Sequence, residues 1–288
     1  VSSDRHRGLL QEVLDAMGMP LLGCLPRSDD LALASRHLGL APAHELQDLG
    51  QRLDRWARLA ERHLALDQLI PLMEAPVGGA DPLGDIPEIS GPTRPVAVAS
   101  DEAFHFRYAE TGELLERMGM PVLPWSPLAD EPIPEQARGL IIPGGFPEQH
   151  AERISGCRTS LQSLRDFAAE QPVYAECGGM LLLGQQLADL DGLPHPMAGL
   201  LPFRARRGPL QVGYRQLTAH ADSLLLRQGE TMTGHEFHRW ELESSRPTSD
   251  GSVLWEIEGW KTGRKPEGWG IQRIHASWIH LHWASCST

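Results

Sequence analysis

The sequence predicts an α/β protein: an open, mostly parallel sheet with helices on both faces, preceded by a smaller α/β piece. Three observations predict it. Strand-like and helix-like segments alternate from Val96 to Leu183, the pattern of parallel strands joined by crossover helices. The run Val173-Tyr174-Ala175-Glu176-Cys177-Gly178-Gly179-Met180-Leu181 has the layout of a strand, a sharp turn and a helix. A stretch dense in proline and glycine separates this alternation from what precedes it, and such residues deny the chain both helix and ladder.

In chain order, Leu9, Leu10, Val13, Leu14 and Met17 recur at helical spacing over residues 4–17, with Ser2 and Ser3 where an N-cap is wanted. Gly18 stops that helix, and residues 20–25 read as a short buried strand. A second helical pattern runs over 44–70, with Leu46, Leu49, Leu53, Trp56, Leu59 and Ala60 on one face and Pro71 at its expected end. Residues 1–75 therefore read as one piece, 76–94 as a linker and 95–288 as a second domain. Within the latter, strands are expected at 96–99, 121–123, 140–142 and 172–175, and helices at 113–118 and 158–170. After Gly199 shorter β-like pieces follow, and a last strand covers 273–282.

Composition excludes several classes of function. A formal net charge of -12 repels phosphate backbones and anionic lipid, so neither nucleic acid nor a membrane surface is an expected partner. No apolar run approaches the roughly 18 residues of a membrane span. Cys24, Cys157, Cys177 and Cys286 are scattered, too sparse for a disulfide framework and wrongly spaced for a zinc knuckle, which points to a reduced, cytoplasmic protein.

Cys177 sits at the apex of the strand–turn–helix segment, where such sheets place ligands. A strained turn followed by glycines exposes a nucleophile there, and the helix start after it favours thiolate. Gly178, next along, is placed to donate its amide to an oxyanion. Taken alone, Cys177 reads equally well as a buried structural cysteine. Gly144 and Gly145 end a strand with backbone N–H groups uncovered, which suits a second oxyanion or glutamine-binding donor, although Pro-Gly-Gly by itself is a plain turn. His280 and His282 would share one face of the last strand. A thiol needs a base to take its proton and return it to a leaving amine, and histidine is the usual one.

Together these pieces carry a family resemblance. Tyr174-Ala175-Glu176-Cys177-Gly178-Gly179, Pro143-Gly144-Gly145-Phe146-Pro147-Glu148, Gly234-His235-Glu236-Phe237-His238 and Ala276-Ser277-Trp278-Ile279-His280-Leu281-His282-Trp283 resemble the glutamine amidotransferase domain of cobyrinic acid a,c-diamide synthase. The segment from Asp101 to Tyr108 resembles that family's opening motif, with His105 where its pattern has asparagine. Residues 36–45 resemble the end of the family's ATP-binding domain, so 1–75 read as the C-terminal remnant of a P-loop-type α/β domain.

The resemblance implies a class I glutamine amidotransferase-like fold and a glutamyl thioester on Cys177, with His280 raising its nucleophilicity. It implies transfer of the released ammonia onto the a and c acetates of a corrin, each activated by ATP and Mg2+. Glutamine and a corrinoid carboxylate are the implied small-molecule partners, and a homodimer is compatible with them. Tyr108, Glu148, Glu176, His235, Glu236, His238 and His282 are implied to line the cleft.

Two departures stand out. The better-known triad amidotransferases carry a glutamate two residues after the histidine, and here His282 occupies that place, so a Cys177–His280 dyad is expected. No G-x-x-x-x-G-K-[ST] phosphate loop occurs in the sequence, so this chain is not expected to hold ATP in the family's manner.

Other constellations weigh less. The spacing His235-x-x-His238 is one residue short of a helical zinc pair, so no metal site is expected. Arg204, Arg206 and Arg207 form a small basic cluster that reads as a solvated loop before it reads as a corrinoid patch. The late tryptophans read as core. Rival functions are amidation of a related tetrapyrrole, of the nickel-sirohydrochlorin or cobyric acid synthase type, and a non-catalytic scaffold.

Overall fold

The computed structural model describes residues 1–33, 43, 46–73, 78, 84, 89, 91–243, 253–271 and 273–283. The chain divides into two units, residues 1–80 and 81–288. Most of the Pro/Gly-rich stretch, His44 and Cys286 lie outside the described residues.

The first unit holds helices α1 (Asp4–Ala16), α2 (Leu49–His63) and α3 (Leu66–Leu72). Ser3 caps α1 by accepting a hydrogen bond from the His6 N–H, as the serine pair suggested. The expected strand at 20–25 is reduced to one bridge, Gly23 to Leu64. That pairing has a consequence for the next element. The single helix expected over 44–70 breaks at Leu64 and Ala65, because the Ala65 N–H donates to the Leu22 carbonyl instead of continuing the helical ladder. Pro71 lies inside α3, not beyond it. The α1 face carrying Leu9, Val13 and Met17 is exposed within this unit.

The second unit is built on one mixed sheet. Its elements are β1 (Val96–Ala99), β2 (Phe104–Phe106), α4 (Ala109–Arg117), β3 (Val122–Trp125), β4 (Gly139–Ile142), β5 (Gly144–Gly145), α5 (Ala151–Gly156), α6 (Arg158–Glu170), β6 (Val173–Glu176) and α7 (Gly178–Leu183). Then come β7 (Gln186–Ala188), β8 (Pro194–Pro196), β9 (Arg204–Ala219), β10 (Thr231–Glu243), β11 (Val253–Gly259), β12 (Thr262–Ile271) and β13 (Ile274–Ser277). The main sheet runs β3-β1-β4-β6-β13-β12-β11-β9-β7-β8, with β10 paired to β9, while β2 and β5 make a separate ladder. From β3 to β13 all neighbours are parallel, and from β13 to β9 they are antiparallel.

The physical reason for this split lies in burial. β1, β4, β6 and β13 are buried along their whole length, as expected of parallel strands covered on both faces. β9 instead alternates exposed and buried positions, the signature of an antiparallel strand with one wet face. The short pieces expected after Gly199 include two long strands, β9 and β10. Pro209 is accommodated because the register between them slips at His238 and Trp240, opposite the segment from Arg207 to Gln211. Arg206 lies on β9 rather than in a loop, and its guanidinium is paired to Glu241 and Glu243 across the ladder, which leaves it committed within the sheet. Trp240, Trp255, Trp269 and Trp278 are core, as expected, whereas Trp260 is exposed at the β11–β12 turn. The last strand stops at Ser277, and His280 forms only an isolated bridge to His235.

Candidate active site

The carboxyl ends of β4, β6 and β13 converge, and the candidate residues lie there. β6 and β13 pair in parallel with Glu176 opposite Ser277, and the Cys177 N–H extends that ladder by donating to the Ser277 carbonyl at 2.7 Å. The chain then turns at once into α7. Cys177 takes φ 46°, ψ -111°, a conformation costly for a residue with a Cβ. Such a turn lifts a side chain above the sheet end, the arrangement of a nucleophile elbow. The turn closes only because glycines follow it. A Cβ on Gly178 would meet the Gly145 carbonyl oxygen at 2.7 Å, and one on Gly179 would collide with that of Ile142. These contacts also bring the β4–β5 turn against the start of α7. Gly178 is the first residue of α7, so its N–H has no acceptor four residues back within the helix and is available to a developing oxyanion.

His280 is buried beside Cys177 and is boxed on every side. Phe106 meets the ring edge-on with centroids 5.1 Å apart, and His235 stacks on it at 5.0 Å. The His235 and His280 backbones exchange hydrogen bonds of 3.1 and 2.8 Å. Gly144 seats the remaining side: a Cβ there would lie 2.5 Å from His280 Cε1. Glu176 Oε2 is 3.3 Å from His280 Nδ1, which leaves Nε2 as the ring nitrogen for the sulfur. Burial alone would lower the ring's pKa. The charge and hydrogen bond of Cys177, followed by those of Glu176, outweigh burial and raise it to about 10. His235 shifts the other way, through burial first and the neighbouring His280 charge second. The two stacked rings are therefore shifted in opposite directions.

The remaining expected residues fall into two groups. Tyr108 and His282 stack on each other with centroids 4.6 Å apart, and burial and the Glu176 charge raise the Tyr108 phenol. Glu148 is buried in the turn after Phe146, and burial pushes its carboxyl up to about 7. Glu236 and His238, by contrast, are not brought to the thiol. They alternate along β10 with His235 and face a separate cavity of about 290 Å³, lined also by Lys265, Glu267, Trp269 and Trp278. Glu236 accepts from Arg215 Nε at 2.7 Å and lies 3.0 Å from His238 Nε2. Burial works to raise its carboxyl, but His238, Lys265 and Arg215 prevail and hold it at about 2. His238 itself stacks flat on Trp278 at 3.7 Å.

Two expectations follow. Gly144→Ala displaces the His280 ring, and a misplacement of this size is expected to slow any turnover at the Cys177 thiol about 100-fold, as steady-state kinetics will show. Glu236→Ala strands the Arg215 guanidinium, which is 5% exposed, and is expected to cost roughly 3 kcal/mol or more in denaturant unfolding.

Sequence reasoning missed two contributors: Phe106 packs on the histidine, and the Phe237 carbonyl lies 3.8 Å from Cys177 Sγ. Neither carries a sequence signal of its own, since each acts through position. Gly144, expected as an oxyanion or glutamine-binding donor, is in addition the seat of the His280 ring. Among the described residues, no group of three or more His, Cys, Asp or Glu is placed to hold a metal ion, and no helix is long and apolar enough to cross a membrane.

Comparison with known proteins matches residues 95–287 to the CobB/CobQ-like glutamine amidotransferase domain. The cobyrinate a,c-diamide synthase of Synechocystis sp. is 36% identical over 291 residues, covering 99% of this chain and 59% of that protein. That of Gloeobacter violaceus is 38% identical over 287 residues, covering 99% and 61%. The hydrogenobyrinate a,c-diamide synthase of Mesorhizobium japonicum is 38% identical over 290 residues, covering 98% and 63%. The chain thus spans about three fifths of the length of these relatives. A domain match over two thirds of the chain, and relatives aligned along nearly all of it, place this chain in the CobB/CobQ-like glutamine amidotransferase family.

Proposed function

We propose that this chain hydrolyses glutamine on Cys177 and supplies the ammonia for amidation of the a and c acetate carboxylates of a cobyrinate-type corrin in cobalamin biosynthesis. The observation that carries the reading is the buried Cys177–His280 pair at the strand ends, with the sulfur on a strained turn and the imidazole held in a closed box. In this reading Cys177 Sγ attacks the side-chain amide carbon of glutamine. The oxyanion forms against the Gly178 N–H and the backbone of the Gly144–Gly145 turn. His280 holds the thiol proton on Nε2 and gives it to the departing nitrogen as the carbon–nitrogen bond breaks. Ammonia leaves, a glutamyl thioester remains, and water cleaves it to glutamate with return of the thiol proton.

The destination of the ammonia is supported by the relatives' names and not by a residue described above. In the family ATP and Mg2+ would activate each carboxylate. The test is glutamine labelled with nitrogen-15 in the side-chain amide, supplied with corrin substrate and an ATP-competent synthetase half. Label in the a and c amides supports the reading. Label in a different tetrapyrrole, or ammonia released with no acceptor amidated, contradicts its destination.

A further inference from the structure

The catalytic reading leaves one group unused. Glu176 is a buried carboxylate in contact with the histidine, and the place where better-known amidotransferases carry their acid is filled by His282, which stacks on Tyr108. We propose that Glu176 is the positioning carboxylate of this site, orienting the His280 ring through Nδ1, so that the acid precedes the nucleophile in the chain instead of following the histidine. This rests on the reading of Cys177 and His280 as the catalytic pair.

Four observations support it. The two Glu176 oxygens have separate tasks. Oε1 accepts from the Leu281 N–H at 3.2 Å and from the Tyr174 hydroxyl, while Oε2 is left to His280 Nδ1 at 3.3 Å. A carboxylate fixed on one oxygen by two donors presents the other in a set direction, which is what orientation of an imidazole requires.

The second observation is register. Glu176 pairs with Ser277 on the adjacent parallel strand, so the turn from Ser277 to Leu281 passes over the Glu176 side chain and delivers both the Leu281 N–H and the His280 ring to it. Third, an acceptor at Nδ1 holds a ring proton there and leaves Nε2 toward the sulfur. Fourth, both partners are buried, with His280 4% and Glu176 8% exposed, so neither charge is matched by solvent. The titratable groups facing His280 are Cys177 from the elbow, Glu176 from β6 and His235 from β10, and Tyr108 and Tyr174 also face Glu176. Among these only Glu176 pairs a negative charge with Nδ1.

A purely structural role, in which Glu176 merely satisfies Tyr174 and Leu281, predicts different behaviour. Glu176→Gln keeps the shape and can still accept from both donors. It cannot carry the charge, and an amide N–H toward Nδ1 turns that nitrogen into an acceptor and moves the ring proton to Nε2. The expected result is a fall in kcat of roughly 100- to 10,000-fold with the KM for glutamine changed by only a few-fold. The alkaline limb of the pH–rate profile is expected to move toward neutral pH, because the charged ring loses its partner. Glu176→Asp, which keeps the charge on a shorter arm, should recover part of kcat and most of the pH profile.

Wild-type kcat and an unmoved pH profile in a folded Glu176→Gln chain would overturn the proposal. If that variant does not fold, nitrogen-15 spectra of labelled histidine in the wild-type chain decide. The His280 Nδ1 proton is expected at a position typical of a carboxylate hydrogen bond and kept, though shifted, in Glu176→Asp, and a solvent-like Nδ1 in the wild type would overturn the proposal. Failure of the underlying reading is seen separately. In that case the wild-type chain itself forms no Cys177 adduct with a glutamine-mimicking chloroketone.

Discussion

Cys177→Ser is expected to reduce glutamine hydrolysis roughly 10,000-fold or more, to the level left by substrate binding and the oxyanion donors alone. The substitution exchanges one atom. The serine hydroxyl keeps the strained φ of 46° and the contact geometry of the elbow, so circular dichroism and the thermal transition are expected to match the wild type. What is lost is an intrinsically strong nucleophile, since a hydroxyl is weak at neutral pH without full base activation. Ammonia release followed by a coupled glutamate assay measures the effect. Hydrolysis within about tenfold of wild type would mean that the sulfur is not the attacking atom. Cys157 offers a poor substitute: it sits between α5 and α6, donates to the Arg153 carbonyl of α5, and burial raises its thiol.

The second large effect is expected at His280. His280→Ala removes the ring that the proposed mechanism uses to carry a proton to the leaving nitrogen, and is expected to lower kcat roughly 1,000-fold or more. The sign of the pH effect follows from the raised pKa. With the ring protonated up to about pH 10, wild-type turnover stays intact through neutral pH and declines only as His280 deprotonates in the alkaline range. A turnover that halves near pH 6.5, the ordinary histidine value, would show that the ring does not feel the Cys177 and Glu176 charges. The alanine variant also opens the box. Phe106 and His235 lose the ring between them, so a modest fall in melting temperature is expected beside the kinetic loss.

Much of this site was legible in the sequence, and the reasons are local. A short β-rich run into Cys-Gly-Gly has the layout of a strand, a sharp turn and a helix, and the other motifs in chain order favoured an elbow over a structural cysteine; the close backbone approaches at the two glycines fit that layout. The parallel strands β1, β4 and β6 are continuous apolar runs bounded by turns, so their existence followed from composition. The role of Glu176 was not legible. It depends on β13 lying beside β6 with Ser277 opposite Glu176, a pairing between residues about one hundred positions apart. The expectation that the last strand runs on to His280 and His282 failed for a related reason. β13 ends at Ser277, where the Ser277 hydroxyl takes the Ile279 N–H, and the chain leaves the ladder before either histidine.

Elsewhere the errors were of tertiary origin. The break at Leu64 carries neither glycine nor proline, and it arises from pairing with residues 22–24, some forty positions earlier. The motif Gly234-His235-Glu236-Phe237-His238 looked like one lining and is two. Strand alternation sends His235 to His280, while Glu236 and His238 go to a buried cluster with Arg215 on the other side. A loop would have allowed all three to face one cleft, and β10 does not.

The central claim is that Cys177, set beside His280, is the atom that takes the glutamyl group. The measurement that tests it most directly is peptide mass spectrometry after incubation with a glutamine-mimicking chloroketone, alongside residual glutamine hydrolysis. The account predicts one adduct, on Cys177, formed in step with loss of hydrolysis, slowed by excess glutamine and absent in Cys177→Ser. An unmodified Cys177 in an inactivated chain, or an adduct on Cys24 or Cys157 that tracks the loss of activity, would contradict it.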